Sequence, residues 1–221
     1  MKTLLLVWKD FETRTRYVVG NLTYDNKTYF FKYINPELSD AQKQGFTCYP
    51  GFEDLTKVYE SKELFSNISS RLPNKNRDDY LEILNYYNLN SSDDEYEILT
   101  RTKGRLLTDT FEFVPPFDKN KIEFEIAGTR YSEEIEKYLK EIKPNTKLAL
   151  EPTTYKDEPA IKVYGILSKK VFLGYVPRYY AKEIYEQLEK KVNYSAMIKD
   201  VKFESLINDE HITANVKLLF S

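Results

Sequence analysis

Three short clusters in this 221-residue chain carry side chains able to hold a phosphate, a base or a sugar hydroxyl. The first is Arg130-Tyr131, directly after Gly128-Thr129. An arginine forks two N–H donors onto a phosphate, and a tyrosine offers a ring face to a base and a hydroxyl for a second hydrogen bond. The plainer alternative is a surface ion pair beside a half-buried ring. The second cluster is Tyr155-Lys156-Asp157, just ahead of Ala160-Ile161-Lys162-Val163. A carboxylate beside phosphates is repulsive, so Asp157 makes sense there as the acceptor for a sugar hydroxyl; equally, an aspartate at such a place caps a turn through its own backbone. The third is Gly174-Tyr175-Val176-Pro177-Arg178, with Lys182 one helical turn further on. A strand running into a helix there points the first helical amides outward, a seat for a phosphate beside Arg178 and Lys182. The routine alternative is a strand-to-helix corner with Tyr175 in the core.

These clusters need elements to position them. Lys121–Thr129 alternates Ile122, Phe124 and Ile126 as a strand does, and Lys147–Leu150, Ala160–Tyr164 and Val171–Val176 read as further strands. Glu133–Glu141 reads as a short amphipathic helix, and Pro177 opens a helix over Arg178–Lys191. Val201–Ile207 and Ile212–Phe220 close the chain as two strands around Asn208-Asp209-Glu210.

Upstream, Pro115-Pro116 denies helix and central-strand hydrogen bonding, and marks a junction between two domains at 1–114 and 120–221. Before it, Thr3–Lys9, Arg16–Thr23 and Thr28–Tyr33 predict a small antiparallel sheet. Helical spacing follows: Leu55, Val58, Tyr59, then Leu64, Phe65, Ile68, then Tyr80, Leu81, Leu84, Tyr87. Asp93 or Asp94 caps a further helix through Thr102, with Gly104 as its left-handed stop. The fold class is α+β.

The succession FEIAGTRY, LALEPTTYKDEPAIKVYG and FLGYVPR over Phe124–Arg178 resembles the HIRAN domain. The resemblance implies a β-barrel with two helices that binds single-stranded DNA with a free 3′ end, Arg130 and Tyr131 gripping the terminal nucleotide. Tyr155, Lys156, Asp157, Tyr175, Arg178 and Lys182 complete the implied site. HIRAN domains place an aromatic residue immediately before this aspartate; here Lys156 stands there and Tyr155 comes one residue earlier. The first half, through Val19–Leu22, Tyr29–Tyr33, Tyr59–Leu72, Arg77–Tyr80 and Glu97–Phe113, is similar to the amino-terminal subdomain of HipA-type toxin kinases. The kinase core of that family is missing, so phosphoryl transfer does not carry over; through the family's freestanding antitoxin-type subdomains, the resemblance implies a protein-binding role. The alternative function is therefore an antitoxin-type module partnering a HipA-like kinase.

Composition narrows the rest. A net charge of −2 argues against coating nucleic acid by bulk attraction, leaving a few local contacts. One cysteine, Cys48, permits no internal disulfide, and with one histidine, His211, a Cys/His zinc site is not expected. Arg101-Thr102-Lys103-Gly104-Arg105 lacks the spacing of a phosphate-binding loop and reads as a cationic helix end. Met1–Trp8 is too short and too soon charged for a signal peptide, and no stretch is long enough to span a membrane. The expectation is a cytoplasmic binding protein without cofactor, metal or catalytic group.

Overall fold

The computed structural model describes residues 1–203 and 211–221. The chain forms two compact units, Met1–Pro116 and Phe117–Ser221, divided beside the proline pair. No helix among the described residues is long and apolar enough to cross a membrane.

The first unit is built on β1 (Lys2–Lys9), β2 (Arg16–Tyr24), β3 (Tyr29–Tyr33), β4 (Tyr59–Ser61) and β5 (Phe111–Val114). They make one antiparallel sheet in the order β4-β3-β2-β1-β5. Its helices are α1 (Glu37–Lys43), α2 (Ser66–Ser69), α3 (Tyr80–Tyr86) and α4 (Glu95–Thr102). Leu4, Leu6, Tyr17, Val19, Leu22, Tyr29 and Phe31 of β1 to β3 join one core, a slip in the β1–β2 register at Val19 interrupting the alternation along β2, and an aromatic cluster around Phe31, Tyr49 and Phe52 fills that core. One expectation changes here. Leu55, Val58 and Tyr59 do not form a helix: Tyr59 pairs with Phe31 in the edge strand β4 and packs its ring on Phe52, so the sheet claims the segment. After α4, Gly104 is left-handed as expected, at φ 56°, and Lys103 just before it, at φ 58°, shares the stop.

At the far edge of that sheet, β5 sets Glu112 opposite Val7. The buried carboxylate accepts from Arg16 Nε at 3.0 Å and Arg105 Nε at 2.8 Å. Burial alone would raise its pKa, but Arg105, Arg16 and Lys103 outweigh it and hold the group well below the usual carboxylate range.

Among the described residues, the second unit has β6 (Lys121–Glu125), β7 (Leu148–Tyr155), β8 (Glu158–Ile166), β9 (Lys170–Tyr175), β10 (Tyr194–Lys202) and β11 (Thr213–Phe220), with one α-helix, α5 (Arg178–Glu189). They form two three-stranded antiparallel sheets, β10-β11-β6 and β7-β8-β9. Ile122, Phe124, Ile161, Val163, Val171, Leu173, Ala196, Ile198, Val216 and Leu218 face inward and are buried, as are Tyr180 and Ile184 of α5. The expected closed barrel is not realised. Among the described residues, the sheets meet at two seams, each carrying a single isolated bridge, Ala127 with Tyr175 and Lys147 with Met197. Continuous ladders stop there because the strands leave the seams at turns, Gly128–Tyr131 at one and Asn145-Thr146 at the other.

The expected second helix, Glu133–Glu141, tightens into a 3₁₀ turn at Ile135–Tyr138, with Ile135 and Ile142 buried. The strand expected at Val201–Ile207 lies earlier, as β10: Ala196 and Ile198 supply its inward face, and Tyr194 Oη accepts from Leu150 N at 3.0 Å. Residues 204–207 of that expectation, and the turn Asn208-Asp209-Glu210, lie outside the described residues.

Glu112→Ala removes the carboxylate that balances two largely buried guanidiniums and is expected to cost the first unit about 3–5 kcal/mol. Because the folded pKa is depressed, the wild-type contribution is full above the unfolded value near 4.5 and is lost as pH falls below it. Urea unfolding read from Trp8, the single tryptophan, checks both: wild type should lose stability between neutral pH and pH 3 that a Glu112→Gln protein does not lose.

Candidate nucleic-acid interface

The first cluster is placed by two anchors. Beyond β6, Ala127 exchanges both backbone hydrogen bonds with Tyr175, at 2.8 Å each way. Gly128, left-handed at φ 70°, then turns the chain into a 3₁₀ turn at Thr129–Tyr131. Thr129 points inward and is buried, its Oγ1 donating to the Ile212 carbonyl at 3.2 Å, while the Ser132 hydroxyl donates to the Phe172 carbonyl. With the flanking residues pinned, the Tyr131 ring is left 61% exposed. Arg130 stacks on that ring, Cζ at 4.6 Å from the centroid, and donates from Nη2 to the Tyr131 hydroxyl at 2.9 Å. The contact sets the guanidinium over the face of the Tyr131 ring.

The third cluster meets the first through glycine. Between Val163 and Tyr164 the β8–β9 register slips, so Leu173 is an extra residue and Gly174 sits at φ 146°. A methyl group at Gly174 would lie 2.6 Å from the Ala127 carbonyl and 2.7 Å from Ile126 Cγ2, so only glycine lets β9 approach that bridge. Tyr175 is half-buried, and both its ring and that of Tyr131 lie within 4 Å of the space a Gly128 side chain would fill. The structure therefore brings Arg130, Tyr131 and Tyr175 together. Val176 N bonds the Ile161 carbonyl at 3.0 Å, and Pro177 starts α5.

Arg178 has a partner that local sequence did not reveal. Its Nε and Nη2 reach the two carboxylate oxygens of Glu158 at 2.7 and 2.8 Å, a forked pair between residues twenty apart in sequence. The Glu158 carboxylate takes both sides of the guanidinium fork, the geometry in which arginine binds any paired oxygens. Lys182, one helical turn on from Arg178, is exposed.

The second cluster is a hairpin tip. β7 and β8 pair down to Tyr155 and Glu158, leaving Lys156 and Asp157 as a two-residue turn, with φ 50° and 64°. All of Tyr155, Lys156 and Asp157 are exposed, and the Lys156 ammonium lies 5.6 Å from the Tyr155 ring centroid. From the Lys162–Tyr175 pair to Glu158 is four residues of β8, so the tip stands roughly 13 Å along the strand from Tyr175. The Arg178–Glu158 pair is what ties it to the helix corner. Among the described residues, no group of three His, Cys, Asp or Glu side chains could hold a metal ion.

Residues 119–217 match the HIRAN domain family, so this stretch is a HIRAN domain, a β-rich nucleic-acid-binding module. No curated protein and no solved structure matches the chain. The likeness of the first half to HipA-type kinases receives no support from these comparisons.

Gly174→Ala tests the glycine anchor. Overpacking against backbone is expected to cost the second unit about 1–3 kcal/mol. Ellipticity should report an earlier thermal transition, while the unfolding transition read from Trp8 in the first unit stays in place.

Proposed function

We propose that the HIRAN domain of this chain captures the end of a single-stranded nucleic acid, DNA with a free 3′-hydroxyl, and that the chain acts by binding, without catalysis. The observation that supports this best is the Arg130–Tyr131 pair, turned outward on the 3₁₀ turn beside Tyr175. In this reading Arg130 takes the last phosphate and Tyr131 stacks the terminal base, with Tyr175 beside it. Asp157 accepts the terminal hydroxyl from the hairpin tip, flanked by Tyr155 and Lys156. That contact needs the tip to fold toward the corner when the strand arrives, and the half-exposed Glu158–Arg178 pair is weak enough to exchange for it. Arg178 and Lys182 then face the backbone beside the first amides of α5.

A protein-binding role for the first unit rests on a different observation. Phe11 and Leu107 are 82% and 79% exposed, on loops leaving the same end of β1 and β5, where Lys9 N bonds the Thr110 carbonyl. Such apolar loop tips suit a protein partner, here a HipA-like kinase. If so, mixing with a HipA-type kinase yields a complex that Phe11→Ser weakens; no complex with wild type removes this second role.

The end-capture reading predicts tighter binding to a strand with a free 3′-hydroxyl than to one with a 3′-phosphate, since a carboxylate repels a phosphate. Losing a charge-assisted contact costs about 1.5–3 kcal/mol, so Arg130→Ala should bind roughly ten- to a hundredfold more weakly. Asp157→Asn should narrow the gap between the two ends. Fluorescence anisotropy measures all three, and equal affinity for both ends together with an unaffected Arg130→Ala protein sinks the reading.

A further inference from the structure

The register slip in β9 has an effect on the outer face of its sheet. Because Leu173 is an extra inward residue, Phe172 and Tyr175, three apart in sequence, both face outward, on the side opposite buried Val171 and Leu173. Their rings meet edge to face at 5.2 Å between centroids, and Phe172 continues to Tyr164 at 5.7 Å. Directly across from Tyr175 on β8 is Lys162, and directly across from Phe172 is Tyr164. All four are half-exposed. Tyr131 and Tyr175 both come within 4 Å of the space a Gly128 side chain would fill, so Tyr131 brings a further ring close to Tyr175.

Charge bounds the row. Lys162 lies in the Tyr175 row with Glu151 of β7 on its other side. Glu151 is engaged by Lys170, whose ammonium also lies 4.4 Å over the Tyr164 ring. That ammonium covers Tyr164 and the carboxylate repels phosphate, so the β7 side is closed. Phe172, Tyr175 and Lys162 are what remains, two rings and a cation in the arrangement that successive nucleotides of a single strand require.

We infer that the outer face of β8 and β9 is a second nucleotide seat, in which Phe172 and Tyr175 support the base that precedes the terminal one and Lys162 neutralises the phosphate between them. The seat rests on the end-capture reading and extends it: the strand crosses from Tyr131 over Tyr175 to Phe172, its 5′ side leaving over β9. Selectivity for a free end stays with the first seat. The second adds affinity with strand length, for a short stretch only, because Lys170 and Glu151 close the track.

The test uses the full chain with 5′-labelled oligothymidylates of two, four and eight nucleotides, all with free 3′-hydroxyls. Wild-type affinity should rise from two to four nucleotides and then level off. Phe172→Leu and Lys162→Gln should each bind the tetranucleotide roughly five- to fiftyfold more weakly than wild type and the dinucleotide by a much smaller factor, whereas Arg130→Ala weakens every length alike. Lys162→Gln, at a half-exposed position, carries the result if Phe172→Leu lowers the melting temperature. Tetranucleotide binding unchanged in Lys162→Gln, or lost by the same factor as the dinucleotide, overturns the second seat while the Arg130→Ala effect keeps the first. A wild-type protein that binds no strand overturns both.

Discussion

One pair of backbone hydrogen bonds, between Ala127 and Tyr175, organises the whole binding end of the second unit. It is the only bridge at its seam among the described residues, and it joins two segments that sequence separates by almost fifty positions. On one side of it the chain turns at Gly128 and throws Arg130 and Tyr131 outward; on the other it runs through Pro177 into α5. Gly174 makes the approach possible, since any side chain there would collide with the Ala127 carbonyl. Site geometry here is a backbone property first, and the side chains inherit it.

Electrostatics then decide what kind of binder the frame supports. A chain with net charge −2 cannot hold a polyanion by its overall field. It has local cations instead: Arg130 over its neighbour's ring, Lys162 across from Tyr175, Arg178 forked onto Glu158. Carboxylates stand among them, so a phosphate gains only where it meets a cation at close range. Such a surface discriminates by position. The first unit uses charge in the opposite sense, as internal structure, with Arg16 and Arg105 closing on buried Glu112.

Much of this was legible in the sequence, for reasons that particular residues make plain. Ile122, Phe124 and Ile126 alternate because one face of β6 is buried, and Pro177 starts α5 because its fixed φ suits a first helical turn. Local pattern failed where a distant partner overruled it. Leu55, Val58 and Tyr59 have helical spacing, yet Tyr59 is claimed by Phe31 across β4. The extra residue in β9 is visible only against β8, so the outward pairing of Phe172 with Tyr175 could not be read from spacing, and Glu158 gives no local sign that Arg178 will reach it. Gly174 was the one available clue to the slip. Ala196 and Ile198 do alternate, but with a single intervening residue they define too short a run to mark β10 on their own.

The tip of the β7–β8 hairpin has an economy of its own. Two-residue turns of this hand are normally left to asparagine and glycine, because a side chain at positive φ crowds the carbonyl that follows it. Here a lysine and an aspartate take both places, at a cost on the order of 1 kcal/mol apiece. A hairpin selected for stability alone would carry Asn-Gly. The fold instead keeps an ammonium and a carboxylate side by side on an exposed turn, a pair of opposite charges that Asn-Gly would not present.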